Sequence, residues 1–279
     1  AGVCRPPRPD LSMRLRFSFD AGSGVCLWAY DDEAKAQFGY PVESDMLDVP
    51  AELRAEITDV FDLLSDRDDV RVVVLTGSGK VFSAGADIRE RPNLAGVAGA
   101  YGRHNRLVRE TFNSVVECSK PIVCAINGPA MGAGFGLIMA SDIWVASEDA
   151  YVSMPEINVG LAGGMTYLQK YFSQSRARRM FYTGMKVSAQ ELYRLGLVEA
   201  CLPPDQLMPY AMEIAREMAS KSPIALKLAK EAAKMTALMP TRDAYRYEQG
   251  NTAALSKTED AREAQRAFFE KRDPVYVGR

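Results

Sequence analysis

The sequence predicts an α/β fold. Three observations carry this expectation: short Val- and Ile-rich runs of strand length, glycine turns directly after them, and following segments whose apolar residues recur at helical spacing. Leu15 to Phe19 and Val25 to Tyr30 flank Ala21-Gly22-Ser23-Gly24 and read as strand, turn and strand. Asp31 to Asp48 is charged and lacks periodicity, so it reads as an irregular excursion. From Pro50 onward Leu53, Ile57, Val60, Phe61 and Leu64 follow a helical period, and Pro50 with Glu52 suits a first turn. Arg71 to Thr76 is a continuous Val-rich run before Gly77-Ser78-Gly79, as expected of a strand buried on both faces. Leu107, Thr111 and Val115 mark the inner face of a helix. Ile122 to Ile126 and Ile143 to Ala146 read as further strands, and Ala133 to Ala140 as a helix that begins in glycines. Past Leu202-Pro203-Pro204 the strands stop, and stretches near 205–221, 223–239, 240–257 and 258–271 read as helices.

We therefore expect a Pro-rich tail or expression remnant over residues 1–12, with Met13 a candidate start, a core over 13–203 and a helical region over 204–279. The 279 residues can bury a sizeable core, and the balance of 34 basic against 36 acidic residues leaves a formal charge of −2. That charge exerts no general pull on nucleic acid, and Arg5, Arg8, Arg14 and Arg16 are too few and too local to reverse it. The five cysteines form no Cys-x-x-Cys pair, which argues against a disulfide framework or a zinc site. No apolar run approaches the roughly 20 residues that span a bilayer, and the opening ten residues hold no signal-peptide core. The expectation is a cytoplasmic, metal-free protein with neither membrane nor nucleic acid as partner. Lys227, Lys230 and Lys234 share a helical stripe and read as a solvated face. His104, the single histidine, reads as structural, and Tyr101 and Tyr167 as packing residues or as the lining of a pocket.

Two small-residue segments are candidates for chemistry. Ser83-Ala84-Gly85-Ala86-Asp87 follows a buried strand and leaves its backbone amides open to close approach. Gly128-Pro129-Ala130-Met131-Gly132-Ala133-Gly134-Phe135-Gly136 does the same at a helix start, where amides are unpaired and lie at the positive end of the dipole. Two such donors converging on one oxygen make an oxyanion hole, although small-residue turns also serve packing alone. Glu156, in Tyr151-Val152-Ser153-Met154-Pro155-Glu156-Ile157, stands between apolar residues near the end of a strand-like run. A carboxyl against apolar neighbours suits proton transfer, and a surface glutamate after a proline is the plain alternative.

These residues resemble the crotonase superfamily, the enoyl-CoA hydratase/isomerase group. The resemblance runs from about Glu52 to the C-terminus through Val72 to Gly77, Phe82 to Ile88, Lys120-Pro121 to Asn127-Gly128, the glycine helix start and Pro155-Glu156. It continues in Thr183-Gly184, Ser188 to Glu191, Gly196-Leu197-Val198 and the closing Glu259 to Glu263 and Phe268 to Arg272. The resemblance implies a spiral of β-β-α turns that holds a CoA thioester, followed by a C-terminal helical region that forms a trimer, commonly within a dimer of trimers. It implies that the amides of Ala86 and Ala133 form the oxyanion pair, that Glu156 is the acid/base, and that an enolate is the shared intermediate. CoA enters as part of the substrate, with no separate cofactor and no metal. The CoA-binding set would be Ala84, Asp87, Ile88, Arg89, Gly132, Gly136 and Lys271, with Arg89 in place of a family lysine and Lys271 reaching CoA phosphate on a neighbouring subunit.

The chain also departs from the family pattern. Typical hydratases use two glutamates, and here the first position is Gly136. One carboxylate can still shift a proton between carbons of one enolate, as in double-bond isomerisation, or activate water alone. Leu161-Ala162-Gly163-Gly164 lacks the Asp of dienoyl-CoA isomerases and hydroxyisobutyryl-CoA hydrolases, and Trp28 to Val49 replaces the usual Asn-Arg-Pro…Asn-Ala-Leu segment near CoA. The expectation is an enoyl-CoA hydratase or isomerase of fatty acid metabolism. A thioester or β-diketone hydrolase, a decarboxylase, and a non-catalytic oligomeric scaffold are the alternatives.

Overall fold

A computed structural model describes residues 15–20, 25–30, 48–49, 51–86 and 96–279, with side chains from Arg54 onward. Its first half contains β1 (Leu15–Asp20), β2 (Val25–Tyr30), β3 (Asp48–Val49), α1 (Ala51–Asp66), β4 (Val72–Thr76), β5 (Gly85–Ala86), α2 (Ala100–Glu117) and β6 (Ile122–Ile126). Then come β7 (Ala130–Met131), α3 (Ala133–Ala140), β8 (Ile143–Ser147), β9 (Tyr151–Ser153) and a 3-10 turn over Pro155–Val159. The chain continues through α4 (Met165–Tyr171), α5 (Gln174–Thr183), β10 (Val187–Ser188), α6 (Ala189–Arg194) and β11 (Cys201–Leu202). It closes with α7 (Pro204–Ala219), α8 (Pro223–Thr236), α9 (Thr241–Leu255) and α10 (Glu259–Glu270).

The main sheet runs β1-β2-β4-β6-β8-β11, antiparallel between β1 and β2 and parallel thereafter. Successive strand residues point to opposite faces, and the buried strands divide accordingly. Val73, Leu75, Ile122, Cys124, Ile126, Trp144 and Ala146 share one core with Ile57, Phe61 and Leu64 of α1, Val115 of α2, and Phe135 and Ile138 of α3. Val72, Val74, Val123, Ala125 and Val145 face the other way, onto Leu207, Ala211, Ala215 and Ala219 of α7. The four-residue spacing in α7 sets small side chains in one row, so the helix lies close against a Val-rich face. Each fully buried Val or Leu contributes about 1.5–3 kcal/mol. The change from strands to helices near residue 203 is thus a change of element, while the packing continues across it.

Strands expected at 122–126 and 143–146 form with those bounds to within a residue, and helices expected from 205 onward form within a few residues of their limits. Most of the Asp31 to Asp48 excursion lies outside the described residues, and Asp48 itself enters β3. Among the described residues, no helix is long and apolar enough to cross a membrane.

One surface assignment is corrected. Lys227 and Lys234 are exposed as expected, but the Lys230 side chain is only 9% exposed. Its Nζ lies 2.9 Å from Asp142 Oδ2 and donates to the Lys120 carbonyl at 2.9 Å. Asp142 Oδ2 also accepts the Ile122 amide at 2.7 Å. Lys230 therefore ties α8 to the entry of β6 and the turn before β8, because the strand edge offers it a carboxylate and a carbonyl together. Lys230→Met should lower the free energy of urea unfolding by about 1.5–3 kcal/mol, the range for hydrogen bonds to charged groups. Lys234→Met, on the exposed side of the same helix, should stay within about 0.5 kcal/mol.

Candidate active site

Glycine and alanine segments that look unrelated in sequence are bonded side by side. Ser83 bridges to Ala130 in parallel, and β7 pairs with β9 through Ala130 to Val152 and Met131 to Ser153. Backbone bonds reinforce the alignment: the Met131 amide donates to the Ser83 carbonyl at 2.9 Å, and the Gly132 amide to the Ser153 carbonyl at 3.0 Å. Asn127 clamps the turns that lead into these segments. Its Oδ1 accepts the Gly77 amide at 3.0 Å, and its Nδ2 donates to the Gly79 carbonyl at 3.0 Å. The segments bearing Ala86, Ala133 and Glu156 therefore leave the same ladder within four residues of Ser83, Ala130 and Val152.

Close approach follows, and it needs glycine. Gly85 has φ +99, and a Cβ there would stand 2.7 Å from the Met131 carbonyl oxygen and 3.5 Å from the Ala133 nitrogen. Gly132 has φ +52, and a Cβ there would meet Glu156 Oε1 at 2.7 Å and the Gly85 Cα at 3.9 Å. The amides of Ala86 and Ala133 are each the next peptide along from these two glycines. Both alanines are half-buried, and Ala133 opens α3, where the first amides have no partner within the helix.

The carboxyl is held by its turn. Pro155 starts the 3-10 helix with its φ already suitable, and Gly160 closes it in the left-handed conformation. The Leu161 amide donates to the Glu156 carbonyl at 2.9 Å, and Ser153 Oγ donates to the Gly184 carbonyl at 3.0 Å. Glu156 is half-buried as a residue, while its Oε2 atom is shielded from solvent. Of the apolar residues that flank it in sequence, Met154 is buried, Pro155 half-buried and Ile157 exposed, and the carboxyl also lies against Gly132.

The wider set is only partly assembled. Ala84 is half-buried beside Gly85. Asp87, Ile88 and Arg89 lie outside the described residues. Lys271 caps α10 in the left-handed conformation at φ 53 and is exposed, and among the described residues no hydrogen bond or ion pair joins it to Ala86, Ala133 or Glu156. Gly136 is buried, and a Cβ there would stand 2.6 Å from Cζ of Phe112. The place of the usual first glutamate therefore carries an aromatic ring from α2. Tyr167 meets that ring edge-on at 5.7 Å between centroids, and burial raises its phenol pKa, so it is uncharged in the neutral range. Tyr101 instead lies exposed at the start of α2. Sequence reading did not single out Phe112. A glycine where the resemblance expects a side chain was its one signal. Among the described residues, no group of three metal-ligating side chains occurs.

Comparison with known proteins identifies the family. The family model described as enoyl-CoA hydratase/isomerase matches residues 47–279. A Mycobacterium tuberculosis protein named (7aS)-7a-methyl-1,5-dioxo-2,3,5,6,7,7a-hexahydro-1H-indene-carboxyl-CoA hydrolase is 34% identical over 223 residues, covering 80% of this chain and 90% of its own. Carnitinyl-CoA dehydratase of Escherichia coli is 34% identical over 244 residues, covering 83% of this chain and 90% of that protein. The crystal structure of an enoyl-CoA hydratase from Bacillus anthracis superposes with a TM-score of 0.81 at 33% identity, over 94% of this chain and 99% of that one. A ladder that gathers two small-residue turns and one glutamate, and a match over most of the length, lead to one conclusion: the chain belongs to the enoyl-CoA hydratase/isomerase family, with the crotonase fold.

Proposed function

We propose that this protein is an acyl-CoA-processing enzyme that holds a thioester carbonyl between the amides of Ala86 and Ala133 and uses Glu156 as its single acid/base. The observation that carries the reading is the packing at the start of α3: a Cβ at Gly132 would stand 2.7 Å from Glu156 Oε1 and 3.9 Å from the Gly85 Cα, and one at Gly85 would stand 3.5 Å from the Ala133 nitrogen. A carbonyl oxygen seated there faces fixed dipoles, and negative charge arriving on it as the neighbouring carbon loses a proton is stabilised without reorganisation. One such donor is worth about 3–4 kcal/mol in the transition state. Ala133 adds the positive end of α3. In isomerisation the carboxylate, held in place by its 3-10 turn, takes a proton from one carbon and returns it to another carbon of the same enolate; in hydration it takes a proton from the water whose oxygen bonds the β carbon and delivers that proton to the α carbon of the resulting enolate.

Isomerisation or hydration of an enoyl-CoA is the preferred reaction. The aromatic ring at Gly136 supports one-carboxylate chemistry, since no second acid stands at that position. Thioester or ring-opening hydrolysis on the same scaffold is the second reading, favoured by the name of the mycobacterial relative. We further propose a cytoplasmic protein that assembles as a trimer or a dimer of trimers through its helical region over 204–279, with Lys271 supplying charge to CoA phosphate across the subunit contact. Ala84, Asp87, Ile88 and Arg89 would complete the CoA site.

Glu156→Gln should reduce turnover of a short enoyl-CoA by about a hundredfold to ten-thousandfold, the usual worth of a positioned acid/base. Its affinity for a saturated acyl-CoA should stay within a few-fold, as read by calorimetry. Unimpaired turnover contradicts the role of Glu156. Product analysis by chromatography separates a hydrated thioester from a shifted double bond or a free acid. Gly132→Ala brings a methyl carbon into the space of Glu156 Oε1 at a φ that side chains avoid. It should lower kcat more than tenfold while the far-ultraviolet circular dichroism of the folded chain is kept.

A further inference from the structure

The start of α3 carries two glycines that face two different groups. Gly132 precedes the helix and faces Glu156 Oε1, and Gly136, whose amide donates to the Gly132 carbonyl at 2.9 Å, faces Phe112. Four residues of backbone, closed by that bond, separate the glycine beside the carboxyl from the glycine beside the ring.

A circuit of contacts closes around this space. Phe112 meets Tyr167 of α4, and the cap of α4, Gly164, lies against the methyl of Met154, 2.1 Å from where a Cβ would be. Met154 is two residues before Glu156, and Glu156 returns to Gly132. Phe112 and Tyr167 are each half-buried at the edge of the core, so neither ring is wholly used in packing. The two rings themselves are uncharged, and Lys170 Nζ stands 5.6 Å from the centroid of the Tyr167 ring.

We propose that Phe112, with Tyr167 at its edge, is the wall that ends the acyl pocket and determines specificity, confining the site to thioesters of short apolar acyl groups, and that Gly136 is required because only glycine leaves room for that ring. This rests on the acyl-CoA reading above and deepens it. The wall fills the volume that a side chain at position 136 would need, so specificity and the single-carboxylate character of the site have one cause.

The test is calorimetric binding of butanoyl-, octanoyl- and dodecanoyl-CoA, which need no turnover, to the parent protein, Phe112→Ala, Phe112→Leu, Gly136→Ala and the Phe112→Ala/Gly136→Ala pair. The parent should prefer the shortest thioester. Phe112→Ala should shift the affinity ratio of the longest to the shortest by about tenfold or more towards the longest, as burial of one or two further methylenes allows, and Phe112→Leu should shift it less. Gly136→Ala should weaken butanoyl-CoA binding in the parent yet leave it unchanged when Phe112 is already Ala, because the methyl then meets open space. If Phe112→Ala does not fold, the Phe112→Leu ratio and the Gly136→Ala effect decide. A ratio unmoved by Phe112 substitution, in a protein that binds thioesters, overturns this inference and leaves the function standing. A parent that binds none of the three overturns the acyl-CoA reading itself.

Discussion

The parallel register that joins Ser83, Ala130 and Val152 is the constraint on which the site depends. These residues lie on segments that follow different strands, and their alignment comes from backbone bonds alone. Once it is set, Ala86 and Ala133 stand three residues beyond their rungs and Glu156 four beyond its own. A slip of one residue would turn each side chain to the opposite face, and Glu156 would lose its place beside Gly132.

The site is built from backbone more than from side chains. Glycine at 85 and 132 lets main chains touch where any Cβ would intrude, and the positive φ at both would strain other residues. The cost is the backbone entropy of ordering glycine, and the gain is a pair of amides held rigidly by the ladder and by the Asn127 clamp. Core packing underwrites this rigidity: the two faces of the sheet are filled by alternate residues of the same strands, so neither face can shift without the other.

The sequence was most legible where periodicity reports burial. The runs 72–76 and 122–126 became fully buried parallel strands, and Ile57, Val60, Phe61 and Leu64 became the inner face of α1. It was least legible where a contact joins distant segments. Lys230 belongs to a lysine stripe of ordinary appearance, and only the position of α8 over Asp142 and Lys120 turns it inward. The elements between Leu161 and Leu202 are too short for a period to show, and they form because β9 and β8 supply edges for β10 and β11. Glu156 was legible as a candidate, but its surroundings were not, since Gly132, which lies beside its carboxyl, comes from 24 positions away.

By itself the sequence determined an alternation of strands, glycine turns and helices, the small residues at 84–86 and 132–134, and a single glutamate after Pro155, because these are local matters of spacing, side-chain size and backbone freedom. Only the tertiary structure decided that Gly85 packs on Met131 and Ala133, that Gly132 lies beside Glu156, and that Phe112 occupies the space beside Gly136. Those contacts join residues from 24 to 48 positions apart, and no local preference can specify them. They follow from the parallel register of the ladder and from the docking of α2 on α3, which are settled only when the whole core closes.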